Sequence, residues 1–176
     1  ATNALGLLYL DAYTAQATGN TAVTNAATAQ TAANAAQTTA NTATTTLNNI
    51  ASDSVITPSE KLQAKTLWDA IVAERAGIIA SATNAGIATN ATVYETYFKA
   101  TTGAYQLLDI YLNTTETVFS SMSANTTIDA VGSDSARVVW DSKWSGYYGA
   151  KQALLDAIAA ALKVIADAGV ADALAA

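Results

Sequence analysis

Cysteine and histidine are both absent from this 176-residue sequence. Their absence excludes disulfides, thiolate nucleophiles, His-ligated metals and every catalytic scheme that uses a histidine base. Charge is sparse too: 8 basic and 14 acidic residues leave a net charge of -6. Nucleic acid is therefore not an expected partner, because affinity for it rests on clustered Lys and Arg. The longest charge-free run, residues 12–52, is interrupted throughout by Thr, Asn and Gln, whereas a membrane-spanning helix needs about 20 mainly apolar residues. Leu5–Leu10 is too short to span and no basic residue precedes it, so neither membrane insertion nor a signal peptide is expected. The chain starts at Ala1 rather than Met, as a processed protein or an excerpt of a longer one would. It carries no P-loop, no GxGxxG and no metal-ligand spacing, so no cofactor and no metal is expected.

Alanine is what the chain has in quantity, 42 residues of a composition that is 51% hydrophobic. Alanine favours helix and buries little area per residue. The predicted fold class is all-α.

Two regions differ in composition. Residues 1–50 hold one charge, Asp11, and 28 of the 50 are Ala or Thr. Of 13 aromatic residues, only Tyr9 and Tyr13 precede Trp68. Within the first region Leu5, Leu8, Ala12, Ala15, Gly19, Ala22, Ala26, Ala29, Ala33, Ala36, Ala40, Ala43, Leu47 and Ile50 recur with gaps that alternate between three and four. That is a heptad a/d seam. Alanine at these positions predicts close helix approach over a thin core, with Leu5 and Leu8 at one end and Leu47 and Ile50 at the other as anchors. Such a helix is marginal alone, so the seam is expected to need sister chains. Leu at an a position and Ile at d lean towards three or more strands. Helical throughout, residues 5–50 would span about 70 Å.

The second region reads as three helices. Thr57-Pro58-Ser59-Glu60 combines an N-cap, a proline at the first helical position and a capping-box glutamate. Leu62, Leu67, Trp68, Ile71, Val72, Ile78 and Ile79 form the expected apolar face, ending near Asn84-Ala-Gly86. A second helix is predicted over 91–112, with Val93, Tyr94, Tyr97, Phe98, Tyr105, Leu108, Tyr111 and Leu112 inward and Gly103 weakening its middle. A third starts near Ser133 or Asp134 and carries Trp140, Trp144, Tyr147, Tyr148, Leu155, Ile158, Leu162 and Ile165. Short connections predict an antiparallel bundle. The polar stretch 114–133 is the candidate for an exposed contact surface. The expected divisions are a stalk segment at 1–54, the bundle at 55–168 and a frayed or helical tail at 169–176.

Catalytic chemistry finds little footing. Glu60, Asp69, Glu74, Asp109, Asp129, Asp134 and Asp141 read as solvated or capping side chains rather than a paired-carboxylate site. The aromatic residues at helical spacing read as core, and Tyr94, Tyr97, Tyr147 and Tyr148 are expected to bury rings and keep hydroxyls wet. The sequons at Asn90, Asn113 and Asn125 are assigned no role. No catalytic residue is expected.

The run Leu47-Asn-Asn-Ile-Ala-Ser-Asp-Ser-Val-Ile-Thr-Pro-Ser-Glu-Lys61, followed by Trp68-Asp-Ala-Ile-Val-Ala-Glu74, resembles a helical module of tail fibre and tail-tip (host-specificity) proteins of tailed phages and prophages. In that family an Ala/Thr/Asn-rich coiled coil leads into an SD…TPxEK segment and a W-D-x-I-x-A-E helix. Thr126-Thr-Ile-Asp129, Lys143-Trp-Ser-Gly-Tyr-Tyr-Gly-Ala150, Leu154-Leu-Asp-Ala-Ile158 and Tyr105-Gln-Leu-Leu-Asp-Ile-Tyr-Leu112 are similar to its later segments. The likeness covers roughly 20–163. It departs at 130–136, where about seven extra residues put the loop geometry in doubt. The resemblance implies a structural part of a virion tail, with a trimeric coiled-coil stalk carrying small helical bundles, other tail proteins as partners, and an extracellular, host-attachment setting. The alternatives are a bacterial surface adhesin or filament stalk, and a monomeric four-helix binding module in which residues 5–50 fold back on the bundle.

Overall fold

The computed structural model describes residues 2–50, 52–53, 55–115, 118–119, 121–128 and 137–175, and these are mostly helical. Helix α1 runs over Thr2–Asn49. A short strand β1, Val55–Ile56, leads into α2, Pro58–Asn84. Two short helices follow, α3 at Thr92–Phe98 and α4 at Ala104–Ile110, the latter running into a π-helical turn at Tyr111–Thr115. Strand β2, Thr126–Thr127, pairs antiparallel with β1, Val55 opposite Thr127. Helix α5, Arg137–Ala175, closes the chain.

Threonine and asparagine are mediocre helix formers, yet α1 is continuous. Thr14, Thr21, Thr24, Thr28, Thr31, Thr38, Thr39, Thr42, Thr45 and Thr46 each donate a hydroxyl to the carbonyl four residues back. Gln30 and Gln37 reach forward to Asn34 and Asn41. The helix thus satisfies these polar side chains itself. What fixes it in place is packing on α5, its main tertiary contact.

The two long helices are antiparallel. Gly19 lies against Gly169, and at the opposite end the Arg137 guanidinium donates to the carbonyls of Ile50 (3.2 Å) and Asn48 (3.4 Å). A cation on the last carbonyls of α1 both caps it and opposes its dipole. The remaining elements form a head in which α2, α3 and α4 all pack on α5, and α2 runs back beside both long helices until Asn84 shares a groove with Asn25 and Leu162.

The stretch expected to wait for sister chains is therefore filled from within the chain. From Ala12 to Ile50 every a/d position is buried or half-buried, and of the others between them only Thr46 is not exposed. Ala33, Ala40, Ala43, Leu47 and Ile50 belong to the same core cluster as the aromatics of the head. A boundary at residue 54 does not separate two packing units, because α5 serves both. It does so by dividing its own length. Trp140, Trp144, Tyr147 and Tyr148 lie in its first turns, near the head, whereas Ala150, Leu154, Leu155, Ile158, Ala159 and Ala166 are the buried apolar residues that follow. Small side chains meet small and aliphatic ones along the stalk, and the large rings stay where the core is wide.

The helix predicted over 91–112 is broken. Gly103 caps α4, and a Cβ there would collide with the Lys99 nitrogen and stand 2.7 Å from the Tyr97 oxygen, a crossing only glycine permits. The predicted start of the third helix and the extra residues 130–136 lie outside the described residues. So does much of 114–133, but Val118 and Ile128 from that stretch are core residues, and Lys61 donates to the Ser121 carbonyl (2.7 Å). This segment is in part a piece of the head rather than a free surface.

Candidate functional site: the junction of head and stalk

Of the core residues expected from sequence, Trp68, Ile71, Ile78, Tyr97, Leu108, Trp140, Trp144, Tyr148, Leu155 and Ile158 are buried, and Phe98 packs half-buried on them. Leu62 does not: it is 62% exposed. The inward stripe of α2 is Lys61, Ala64, Trp68, Ile71, Ile78 and Ala82, and Leu62 lies one residue, about 100° of rotation, off it. Lys61 takes the place instead, burying its stem and spending its ammonium on Ser121. Burial pushes its pKa down. Val72 and Ile165, also expected inward, are exposed. Of the end anchors, Leu47 and Ile50 are buried and Leu8 is 54% exposed, while the Leu5 side chain lies outside the described set.

The head begins as its motif dictates. Thr57 and Glu60 form the capping box, with the Glu60 carboxylate accepting from the Thr57 backbone (2.8 Å) and hydroxyl (2.7 Å). Trp68 rests on Tyr105 with ring centroids 5.3 Å apart. Arg75 lies over both Phe98 (5.3 Å) and Tyr105 (4.9 Å), a pair of cation–π contacts that ties α2 to α3 and α4.

At the centre of the junction stands a polar chain that sequence reasoning missed. The Tyr147 hydroxyl donates to Glu74 Oε1 (2.8 Å) and lies 2.8 Å from the Tyr97 hydroxyl. With Tyr147 donating onwards, its oxygen receives the Tyr97 proton. Lys151, 5% exposed, donates to the same Glu74 oxygen. Glu74 on α2 thus gathers α5 through two side chains and α3 through Tyr97. The expectation of wet hydroxyls is overturned for Tyr97 and Tyr147, whose rings sit too deep for water to be the partner, whereas the Glu74 side chain, 35% exposed, keeps one side towards solvent. Burial above all, and the nearby Glu74 carboxylate as well, hold both hydroxyls protonated well above the usual tyrosine range; Tyr148 is shifted the same way for the same reasons. The one signal available was spacing: Tyr147 and Lys151 are four apart, on one helical face.

Beside this chain, between α1 and α2, runs a groove. Ala32, Ala36, Gly77 and Ser81 wall it, Leu155 and Ile158 form its floor, and Glu74 and Lys151 close one end. Among the described residues no group of His, Cys, Asp or Glu could hold a metal, and no helix is long and apolar enough to cross a membrane. The junction ties α2, α3 and α5 together through one carboxylate.

No protein-family model, curated protein or solved structure matches the chain.

Proposed function

We propose that the chain is a stalk-and-head structural module of a phage tail fibre or tail tip. What carries the reading is the motif resemblance over 47–74, 105–112 and 126–158; the antiparallel course of α1 and α5 supplies the elongated body. The polypeptide travels out along one helix of 48 residues, builds a head, and returns along another of 39. A body of this kind sets the head off at the far end of an arm. The Glu74 junction, the Arg137 cap and the aromatic rings on α5 resist bending where the arm meets its load. The motif resemblance supplies the tail setting, with other tail proteins as partners. A three-chain seam is not part of the proposal, since α5 occupies the face that would form one, so any self-association uses other surfaces. An antiserum against the head should decorate tails in particles of the source phage. Its absence from purified particles would remove the tail assignment.

The return of α1 along α5 favours a second reading, the monomeric four-helix binding module in which residues 5–50 fold back on the bundle, and the groove between α1 and α2 offers it a place for a ligand. A bacterial adhesin stalk fits the same geometry. Ligand-dependent melting of the monomer supports the binding module, and a cell-surface location supports the adhesin.

A further inference from the structure

The groove beside the Glu74 junction consists of two adjoining hollows of about 410 and 340 Å³, which share Ala32, Ser81 and Leu155. Its floor follows α5 from Lys151 to Leu162, about 16 Å at 1.5 Å per residue. The hydroxyls on its walls are already spent: Thr28, Thr39 and Ser81 each donate to a carbonyl of their own helix. Between them the lining is Ala, Gly, Leu and Ile. Unfilled hydrogen-bonding capacity is concentrated at the Glu74 end. The Lys151 ammonium has three donors, and among the described residues its partner is Glu74 Oε1. The Tyr147 hydroxyl takes that same oxygen, so Glu74 Oε2 has no partner among the described residues. Lys151 is 5% exposed, and both residues line the groove. A buried ammonium with donors to spare thus stands beside a carboxylate with an acceptor to spare, and the two charges cancel.

We propose that this groove binds a neutral aliphatic alcohol, its hydroxyl accepting from Lys151 and donating to Glu74 Oε2 while its chain lies along Leu155 and Ile158. An apolar channel with a few polar groups at one place is the usual form of a small-molecule site. The head is selected by charge. A carboxylate head would meet the like charge of Glu74, and an ammonium head that of Lys151. Each ion could also fill only one of the two vacancies, since a carboxylate only accepts and an ammonium only donates. A hydroxyl does both and carries no charge to desolvate. The tail is selected by the walls, whose polar groups offer nothing to a second head. Small side chains keep the channel clear: a Cβ added at Gly77 would meet nothing within 4 Å. The site deepens the binding-module reading and rests on it only in requiring that α1 lie back along α5. The tail reading is unaffected.

Isothermal titration calorimetry of the full chain with n-decanol, decanoate and decylammonium, which share a chain length and differ in the head, tests the site. A single n-decanol should bind per chain, about tenfold more tightly than either ion, the difference that one hydrogen bond makes. Gly77→Leu and Ala32→Leu fill the groove from opposite walls, and each should abolish binding with circular dichroism unchanged. Gly149→Leu, exposed on α5 and outside the groove, should leave binding intact. Equal affinity for the three heads overturns the site, as does tighter binding of either ion, binding that survives both groove variants, or no binding of n-decanol. A distance between spin labels at Thr24→Cys and Lys163→Cys within one chain separates two failures. With that distance short, absence of binding removes the alcohol site alone; with it long, the binding-module reading falls too.

Discussion

Glycine in the middle of a helix is ordinarily a defect, and replacing it with alanine ordinarily stabilises by about 1 kcal/mol. Gly169 should reverse that sign. A Cβ placed there would stand 2.9 Å from Gly19 Cα and 3.1 Å from its nitrogen, and both are backbone atoms that cannot rotate away. Ordinary contact needs roughly half an ångström more, so the helices must part or bend. Overpacking of this kind costs about 1–3 kcal/mol. Set against the propensity gain, Gly169→Ala should lose about 1 kcal/mol. Gly149 and Gly146 stand on the same helix, and a Cβ added at either would meet nothing within 4 Å, so Gly149→Ala should gain about 1 kcal/mol. The two variants of one helix thus differ by about 2 kcal/mol with opposite signs. Urea unfolding followed by circular dichroism, at unchanged m-value, reads the difference. If Gly169→Ala stabilises as Gly149→Ala does, then nothing lies against Gly169 and the α1–α5 contact is wrong.

Other outcomes follow from the junction and the cap. Glu74→Ala leaves Lys151 buried without its carboxylate and should destabilise by about 2–4 kcal/mol; adding Lys151→Met should recover much of that loss, which a double-mutant cycle measures. Full additivity of the two changes would refute the coupling. Thr57→Ala should cost about 1 kcal/mol through loss of the cap, visible as a lower Tm; no change would mean that the box contributes nothing. Alkaline pH should weaken the fold. Tyr97, Tyr147 and Tyr148 are held protonated in the native state beyond the usual range. The unfolded chain releases those protons near pH 10, so their contribution is intact below about pH 10 and declines above it, by up to about 1.4 kcal/mol per pH unit for each. Tyr147→Phe should flatten the slope of stability against pH. If all the tyrosines of the folded protein titrate near pH 10 in ultraviolet absorbance, the burial argument fails.

Sequence periodicity identified the covered face of α1 but not its cover. Gaps of three and four say which side chains lie on one stripe, and that stripe is the side turned away from water in the structure. They do not distinguish a sister chain from a helix some ninety residues further on. The clue lay in α5, where rings occupy the first turns and Ala, Leu and Ile the rest. Leu62 shows a different limit, since hydrophobicity favoured Leu over its neighbour Lys61 while the phase set by Ala64, Trp68 and Ile71 favoured the lysine. The Glu74 chain was illegible because its members come from three helices, and no local pattern marks a carboxylate that two distant residues will share. The strand pair escaped notice because two-residue strands leave no alternation to read.

The central claim, that the small-residue face of α1 is closed by α5 of the same molecule, is tested most directly by a distance measured within one chain. Spin labels on cysteines substituted for Thr24 and Lys163, both exposed, can be measured by pulsed dipolar spectroscopy after dilution with excess unlabelled protein. The expected result is a short distance, set by helix axes about 8–10 Å apart, that persists undiminished on dilution. A short distance that disappears on dilution would mean that sister chains close the seam, and would contradict it.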